Sequence, residues 1–197
     1  GGGILSPMYP WKYEPEINLL AQHGKRLYQA WNKKLFPITH IDFEIEEVGM
    51  LIFDEDQFQK GLNYHQQFNE PDQISTLLNQ QQLQEINPKV SQEVKHALYF
   101  PHLANIRNPR LTQSILKYLS KQPNFGLITH TAIQSIEQDD VKVTALIDQY
   151  GTKHQADHYV LATGAWSQPL LEQLHIDFQV APVHGQMVLY KTPAKWL

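Results

Sequence analysis

The chain has 197 residues, of which 42% are hydrophobic and 18% are charged, and its formal net charge is -4 at pH 7. This balance suits a soluble, folded chain with a core, and it excludes wholesale disorder and a basic surface for nucleic acid. There are no cysteines, so disulfides, thiolate nucleophiles and cysteine-based metal sites are excluded. The longest apolar stretches have the length of a strand, too short to cross a membrane.

The first part of the chain predicts one long helix followed by strands. Apolar residues recur at three- and four-residue spacing over residues 15–35, which predicts an amphipathic helix with a buried stripe. The stripe consists of Ile17, Leu20, Ala21, Leu27, Tyr28, Trp31 and Leu35. Pro37 should end this helix, because proline lacks the backbone N–H that a helix interior needs. Residues 41–53 then predict strands.

Three capping residues mark the starts of shorter helices. Asp54, Asn79 and Asn108 each precede a helical pattern and predict an N-cap. The first of these helices should bury Phe58, Leu62, His65 and Phe68. The third should bury Leu111, Ile115, Leu116 and Leu119. Strands are predicted at residues 74–78 and 97–100.

The last part of the chain predicts strands at residues 125–137, 141–148, 154–162 and 180–190. A turn of small residues and a short helix with Leu170, Leu171 and Leu174 follow the third of these strands. Helices thus alternate with antiparallel meanders, which predicts an α+β or mixed α/β fold.

Two polar patterns are weak candidates for chemistry. His154 and His158 have the spacing of a metal-binding pair on a helix, but their segment predicts a strand, where four residues span about 13 Å. We therefore predict no metal site. The acidic runs at residues 44–47 and 54–56 are expected to be solvated, so no catalytic acid or base is assigned.

Two segments of small residues are stronger candidates, since glycine lets a ligand approach the backbone closely. The first is GGGILSP at residues 1–7, for which a flexible terminus or a tag is the alternative. The second is VLATGAW at residues 160–166, a predicted buried strand that ends in a turn. Ligands of open α/β sheets bind at such strand ends, although an ordinary strand-to-helix turn is the alternative.

Six segments in chain order resemble the family of flavin-dependent amine oxidoreductases that includes glycine oxidase, D-amino-acid dehydrogenase and sarcosine oxidase. They are GGGILSP (1–7), VGML (48–51), NIRNPRL (105–111), HTAI (130–133), ATGAWS (162–167) and PVHGQM (182–187). The resemblance implies a partial FAD-binding domain interleaved with an antiparallel-sheet substrate domain. Residues 1–43 and 101–177 would belong to the FAD domain, and residues 44–100 and 178–197 to the substrate domain.

The resemblance also implies which residues meet the ligands. The flavin would be lined by Gly1, Gly2, Gly3 and Ile4, and its adenosine half would contact Ile133. The cofactor would pack on Ala162, Thr163, Gly164 and Trp166, although a buried core tryptophan is an equal alternative for the last. His184 and Gln186 would face the substrate, with a hydrogen-bonded strand histidine as the alternative for the first.

The implied activity is oxidation of a small amine or amino acid (glycine, sarcosine or a D-amino acid) to an imine by hydride transfer to FAD. We expect a cytoplasmic protein, or one peripheral at a membrane. Its partner should be a small-molecule substrate and not a nucleic acid, and a homo-oligomer is possible. A non-catalytic binding module with the substrate-domain fold is the alternative.

Two expected parts of the family pattern do not occur in the sequence. It contains no Gly-x-Gly-x-x-Gly turn for the pyrophosphate, and it stops before the region of the family's substrate-binding arginine and tyrosine. We therefore expect these 197 residues alone to bind FAD weakly or not at all, and we assign no catalytic residue.

Overall fold

Helices and short antiparallel strands alternate along the chain in the computed structural model, which describes residues 2–68, 74–140, 142–181 and 183–184. One unit ends at Phe125 and a second begins at Gly126. The first contains α1 (Pro15–Thr39), β1 (Glu46–Glu47), β2 (Met50–Ile52), α2 (Phe58–Phe68), β3 (Thr76–Asn79), α3 (Gln80–Ile86), β4 (His96–Phe100), β5 (Ala104–Asn105) and α4 (Asn108–Leu119). The second contains β6 (Ile133–Gln138), β7 (Val143–Asp148), β8 (Lys153–His154) and α5 (Gln168–Gln173). This mixture confirms the predicted fold class.

Two antiparallel sheets organise the first unit. Strand β4 lies between β2 and β3, and its side chains Leu98 and Phe100 form a core with Ile52, on which Trp11 packs. Strand β5 pairs with β1 and leads into α4, which packs against α1. The second core, between these two helices, consists of Leu5, Leu35, Phe43, Ala104 and Ile106.

Helix α1 continues past Pro37, so the predicted end is wrong. Its last turn is held from α4: Lys117 Nζ donates to the carbonyl of Thr39 at 2.9 Å, and Lys121 Nζ to that of Ile38 at 3.1 Å. The buried hydroxyls of Thr39 and Ser114 also lie 2.8 Å apart. Two ammonium groups at a helix C-terminus interact favourably with its dipole and bind carbonyls of the last turn, which have no partner within the helix.

The predicted apolar stripe of α1 is largely exposed, which corrects the expectation that it forms core. Ile17, Leu20, Leu27 and Trp31 are 47%, 72%, 39% and 43% exposed. Leu35 of the predicted stripe is buried and Tyr28 packs against the same core, but the other buried positions of the helix, Asn18, Lys25 and Thr39, lie outside the stripe. Sequence periodicity identified an apolar stripe but not which face this chain covers.

The capping predictions are closer to the structure than the predicted buried face of α1. The side chain of Asn79 accepts from the backbone of Gln82, whose own side chain accepts from Asn79 N, a complete capping box. Asp54 accepts from the backbone of Asp56 and from the side chain of Gln57, at the start of a short 3-10 turn that leads into α2. The prediction for Asn108 is wrong by one residue, since the N-cap of α4 is Arg107.

Three of the predicted strands are too long. Residues 41–53 form strand only at β1 and β2, because Gly49 at φ +68° turns the chain between them. Residues 125–137 become strand only from Ile133, and residues 154–162 contribute only His154. Among the described residues of the second unit no strand pairs with residues 155–162, and Val160 is 91% exposed. The predicted 180–190 strand lies mostly outside the described residues.

The second unit is a three-stranded meander with a helix at its edge. Strand β7 lies between β6 and β8, and Ala145 is fully buried in it. The side-chain amide of Gln173 on α5 accepts from Ile136 N at 3.0 Å and donates to the carbonyl of Gln134 at 3.1 Å. These bonds attach α5 to β6. The four-piece domain division stays a prediction.

Candidate functional site

The opening glycines lead into a segment that pairs with the chain around β5. Ile106 N donates to the carbonyl of Gly3 at 2.7 Å, and Leu5 N donates to that of Ala104 at 3.0 Å. Gly3 has φ +80°, and a Cβ built on it would lie 2.3 Å from the carbonyl oxygen of Ile106. Glycine is therefore required at position 3 by the chain's own packing, whatever ligand lies beside it.

The side chains next to Gly3 divide between core and solvent. Leu5 is 7% exposed and belongs to the core, whereas Ile4 is 46% exposed. Apart from the chain neighbours of Gly2, no described residue lies within 4 Å of the position that its Cβ would take. The predicted flavin-lining residues Gly2, Gly3 and Ile4 therefore form an open edge on a fixed backbone. Gly1 lies outside the described residues, and the role of all four stays a prediction.

The small-residue turn of the second unit is held by its own hydrogen bonds. The hydroxyls of Thr163 and Ser167 lie 2.9 Å apart, and Ser167 Oγ donates to the carbonyl of Gly164 at 2.8 Å. Gly164 has φ +56°, and apart from its chain neighbours no described residue lies within 4 Å of its absent Cβ. The indole of Trp166 is 79% exposed, so the alternative of a buried core tryptophan is wrong.

The small-residue turn has room for a flat cofactor. An open glycine and an exposed ring on a turn with fixed backbone leave room for a planar group against residues 162–166, so the residues fit. Ala162 is exposed like Gly164. The expectation of a buried strand ahead of the turn is wrong, because Val160 and Leu161 are exposed and unpaired in the described part of the second unit.

The remaining predicted site residues lie in the second unit or outside the described residues. Ile133 is the first residue of β6, half-buried and opposite Asp148. Its strand is tied to α5, which directly follows the small-residue turn, through Gln173. His184 is exposed and not in a strand, and Gln186 lies outside the described residues. Nothing in the sequence singled out Gln173, since a glutamine on a short helix has no distinctive pattern.

Asp148 fixes the hairpin that supports Ile133. Its Oδ1 accepts from Tyr150 N at 2.8 Å and Thr152 N at 2.9 Å, and its Oδ2 lies 2.9 Å from His154 Nε2. The hydrogen bond from His154, joined by those from Thr152 and Tyr150 and opposed by burial, lowers the pKa of Asp148 to about 2. His154 thus has a structural partner. In the described residues no cluster of three metal-binding side chains occurs.

A buried lysine provides the other charged cluster. Lys25 is 2% exposed, and its Nζ donates to the carbonyl of His102 at 2.8 Å and lies 3.2 Å from Glu47 Oε1. Burial alone would raise the pKa of Glu47, but Lys25 and His102 lower it below its ordinary value. The cluster joins α1 to β1 and to the turn before β5, which is a structural role.

The comparisons with known proteins identify the family. The chain matches the family described as FAD dependent oxidoreductase over residues 1–196 and belongs to it. It is 34% identical to the glycine oxidase of Pseudomonas putida over 197 residues and 33% identical to that of Pseudomonas aeruginosa over 200 residues. Each match covers 100% of this chain and 53% of the relative, so the chain spans about half the length of these relatives.

Solved structures share the fold. The glycine oxidase of Geobacillus kaustophilus matches with a TM-score of 0.74 at 21% identity, over 90% of this chain and 48% of that one. An iminodiacetate oxidase from Chelativorans sp. BNC1 matches with a TM-score of 0.70 at 18% identity, over 88% of this chain and 47% of that one. The resemblance inferred from six sequence segments is confirmed. In the described residues no helix is long and apolar enough to cross a membrane.

Replacing Gly3 by alanine should lower the free energy of unfolding by about 2 kcal/mol or more, because the left-handed backbone and the Ile106 carbonyl both oppose a Cβ. Urea unfolding of the 197-residue chain measures this. Gly2→Ala is the matched control and should change stability little, since open space surrounds that position. Equal effects of the two substitutions would contradict the packing role of Gly3.

Asp148→Asn should lower the melting temperature at pH 7. The pKa of this carboxyl is 3.8 in the unfolded chain and about 2 in the folded one. It therefore contributes stability that is complete above about pH 5 and is lost as the pH falls towards 2. The difference in melting temperature between the two proteins should therefore narrow as the pH falls from 4 towards 2. Asp157→Asn, at an exposed position of the same unit, is the control. A difference that does not depend on pH would rule out this account.

Proposed function

We propose that the protein carrying this chain oxidises a small amine or amino acid, such as glycine, sarcosine or a D-amino acid, with FAD as cofactor. The observation that carries the proposal is the match to two proteins named glycine oxidase along the whole chain, at 34% and 33% identity. The family match over residues 1–196 supports the same cofactor. When bound, FAD would accept a hydride from the carbon next to the amine nitrogen, and the substrate would leave as an imine.

The residues of this chain bind and orient in this proposal, and none is assigned proton transfer. In the first unit the segment of Gly2, Gly3 and Ile4 offers its open edge to the flavin. In the second unit the turn of Ala162, Thr163, Gly164 and Trp166 supports the cofactor, with Ile133 at its adenosine half and His184 towards the substrate. Gly164 is exposed, and apart from its chain neighbours no described residue lies within 4 Å of its absent Cβ, which supports this assignment.

The test is oxidation of amines by the protein expressed from its complete reading frame. Oxygen consumption is measured with glycine, sarcosine and D-alanine, and reduction of an artificial acceptor without oxygen reveals a dehydrogenase. We expect turnover of at least one of these amines by protein that contains FAD. Folded, FAD-containing protein that oxidises none of them would contradict the proposal, and folded protein without FAD would favour a binding module.

Gly164→Ala should weaken FAD binding about tenfold in the same protein, because its Cβ would enter the space proposed for the cofactor. Gly151→Ala is a matched control in the second unit. Gly151 also has a positive φ (+80°) and nothing within 4 Å, so the two substitutions impose similar backbone strain. Titration with FAD, followed by flavin fluorescence, compares them. An equal loss of affinity in both variants would mean that backbone strain weakens FAD binding and that the space beside Gly164 is not used by the cofactor.

A further inference from the structure

In the first unit, two neighbouring connections join β1 and β5 to the sheet of β2, β4 and β3, which we term the β4 sheet. Strand β1 pairs with β5 at Glu47 and Ala104, and β2 pairs with β4 at Met50 and Phe100. Between these pairs, two residues of one strand lie opposite three of the other. Such a bulge bends a strand pair. We term this bend the hinge line, because the β4 sheet can tilt about it.

The backbone at the hinge line is fixed in place but not in angle. Gly49 has φ +68°, and the nitrogens of Val48 and Gly49 donate to the carbonyl of Leu103 at 3.1 and 3.0 Å. These two hydrogen bonds lie on the hinge line itself, so they hold the two connections together without setting the angle across them. A further attachment, made away from the hinge line, is needed to set that angle.

Trp11 makes an attachment of this kind to the face of the β4 sheet that α2 covers. Its ring stacks on Phe100 with the ring centroids 6.0 Å apart, and it lies 6.4 Å from the ring of Tyr64 on α2. The indole N–H donates to Gln57 Oε1 at 3.0 Å, just before α2 begins. Gly61 of α2 leaves room for the ring, since a Cβ there would lie 3.0 Å from Trp11 Cζ3. Both the position and the orientation of the indole are therefore fixed.

The other end of the attachment is helix α1. The side-chain amide of Asn18, a buried residue of this helix, donates to the carbonyl of Pro10 at 2.8 Å. Pro10 is itself buried and directly precedes Trp11. Six residues before Trp11, Leu5 lies in the core that also contains Leu35 of α1. The connection between Leu5 and α1 is thus held to α1 by its backbone and to α2 by the ring of Trp11.

We propose that Trp11 is a positioning residue, which sets the angle between the β4 sheet and the open edge of Gly2, Gly3 and Ile4. The proposal rests on the proposed function, in which this edge lines the flavin and the β4 sheet belongs to the substrate domain. No contact with either ligand is assigned to Trp11. It acts by holding two surfaces at the separation that places the amine against the flavin. Misplacing reacting groups by about 1 Å can cost about a hundredfold in rate.

The angle is measured by the distance between two spin labels in the product of the complete reading frame, with other cysteines replaced by serine. Gln81→Cys on α3 and Gln113→Cys on α4 place the labels at exposed positions on the two sides of the hinge line. Pulsed electron paramagnetic resonance should give one narrow distance distribution. Trp11→Leu should broaden this distribution about twofold, because the β4 sheet then samples several angles.

Two further variants separate the role of Trp11 from general loss of stability. Leu78→Ala removes a core side chain on the opposite face of the β4 sheet, beside Leu83 of α3. It should lower the melting temperature and leave the distance distribution unchanged. Trp11→Phe keeps a ring against Phe100 and loses only the hydrogen bond to Gln57, so it should broaden the distribution less than Trp11→Leu does. If the leucine variant does not fold, the phenylalanine variant decides.

Catalysis gives the second readout. With an amine that the unsubstituted protein oxidises, Trp11→Leu should lower kcat/KM at least about tenfold. It should change the affinity for FAD less than about threefold, because Gly3 and Leu5 keep their pairing with the chain around β5. Leu78→Ala, assayed well below its melting temperature, should change kcat/KM less than about threefold.

An unchanged distance distribution without the indole overturns the proposal, and so does equal broadening in Leu78→Ala. A broadened distribution with unchanged kcat/KM overturns it as well, since the angle would then have no effect on the reaction. A protein that contains FAD and oxidises no amine contradicts the proposed function. In that case the label distances still decide whether Trp11 sets the angle of the β4 sheet.

Discussion

The antiparallel pairing of Gly3–Leu5 with Ala104–Ile106 is the constraint on which the first unit depends. It brings residues about a hundred positions apart into register, and it is possible only because position 3 has no side chain. Leu5 then enters the core with Leu35 of α1 and Ile106 ahead of α4. The same pairing holds Ile106, two residues ahead of α4, and the proposed cofactor edge at Gly2 and Ile4.

Each unit has an open surface on a fixed backbone, and different interactions hold the two surfaces in place. In the first, backbone pairing with β5 holds the open edge at Gly2 and Ile4. In the second, side-chain hydroxyls hold the turn at Gly164, and Asp148 holds the hairpin beneath Ile133. Neither surface contains a pair of ionisable groups suited to acid–base catalysis. Such surfaces suit a cofactor that carries the chemistry while the protein supplies shape and orientation.

The sequence predicted the parts of the fold that local hydrogen bonds decide. The capping box at Asn79 and the cap at Asp54 are where their patterns placed them, because each depends on residues close in the chain. Strand β4 was also predicted, and it has two partner strands, β2 and β3. Residues 155–162 were predicted as strand from their composition, but a strand needs a partner, and the described residues of the second unit supply none. The end of α1 was misjudged because Lys117 and Lys121, about 80 residues away, stabilise it. Of the candidate site, the open glycines could be anticipated and Gln173 could not.

The side chain of Gln173 affects how the edge of β6 can pair with other molecules. Its amide accepts from Ile136 N and donates to the carbonyl of Gln134, which are the two bonds that an added peptide would make there. Strand β6 is one of the two outer strands of its sheet in the described residues, and an unprotected outer strand is a template for strands of other molecules. A single glutamine therefore occupies this part of the edge of β6, where the backbone of an added strand would otherwise pair.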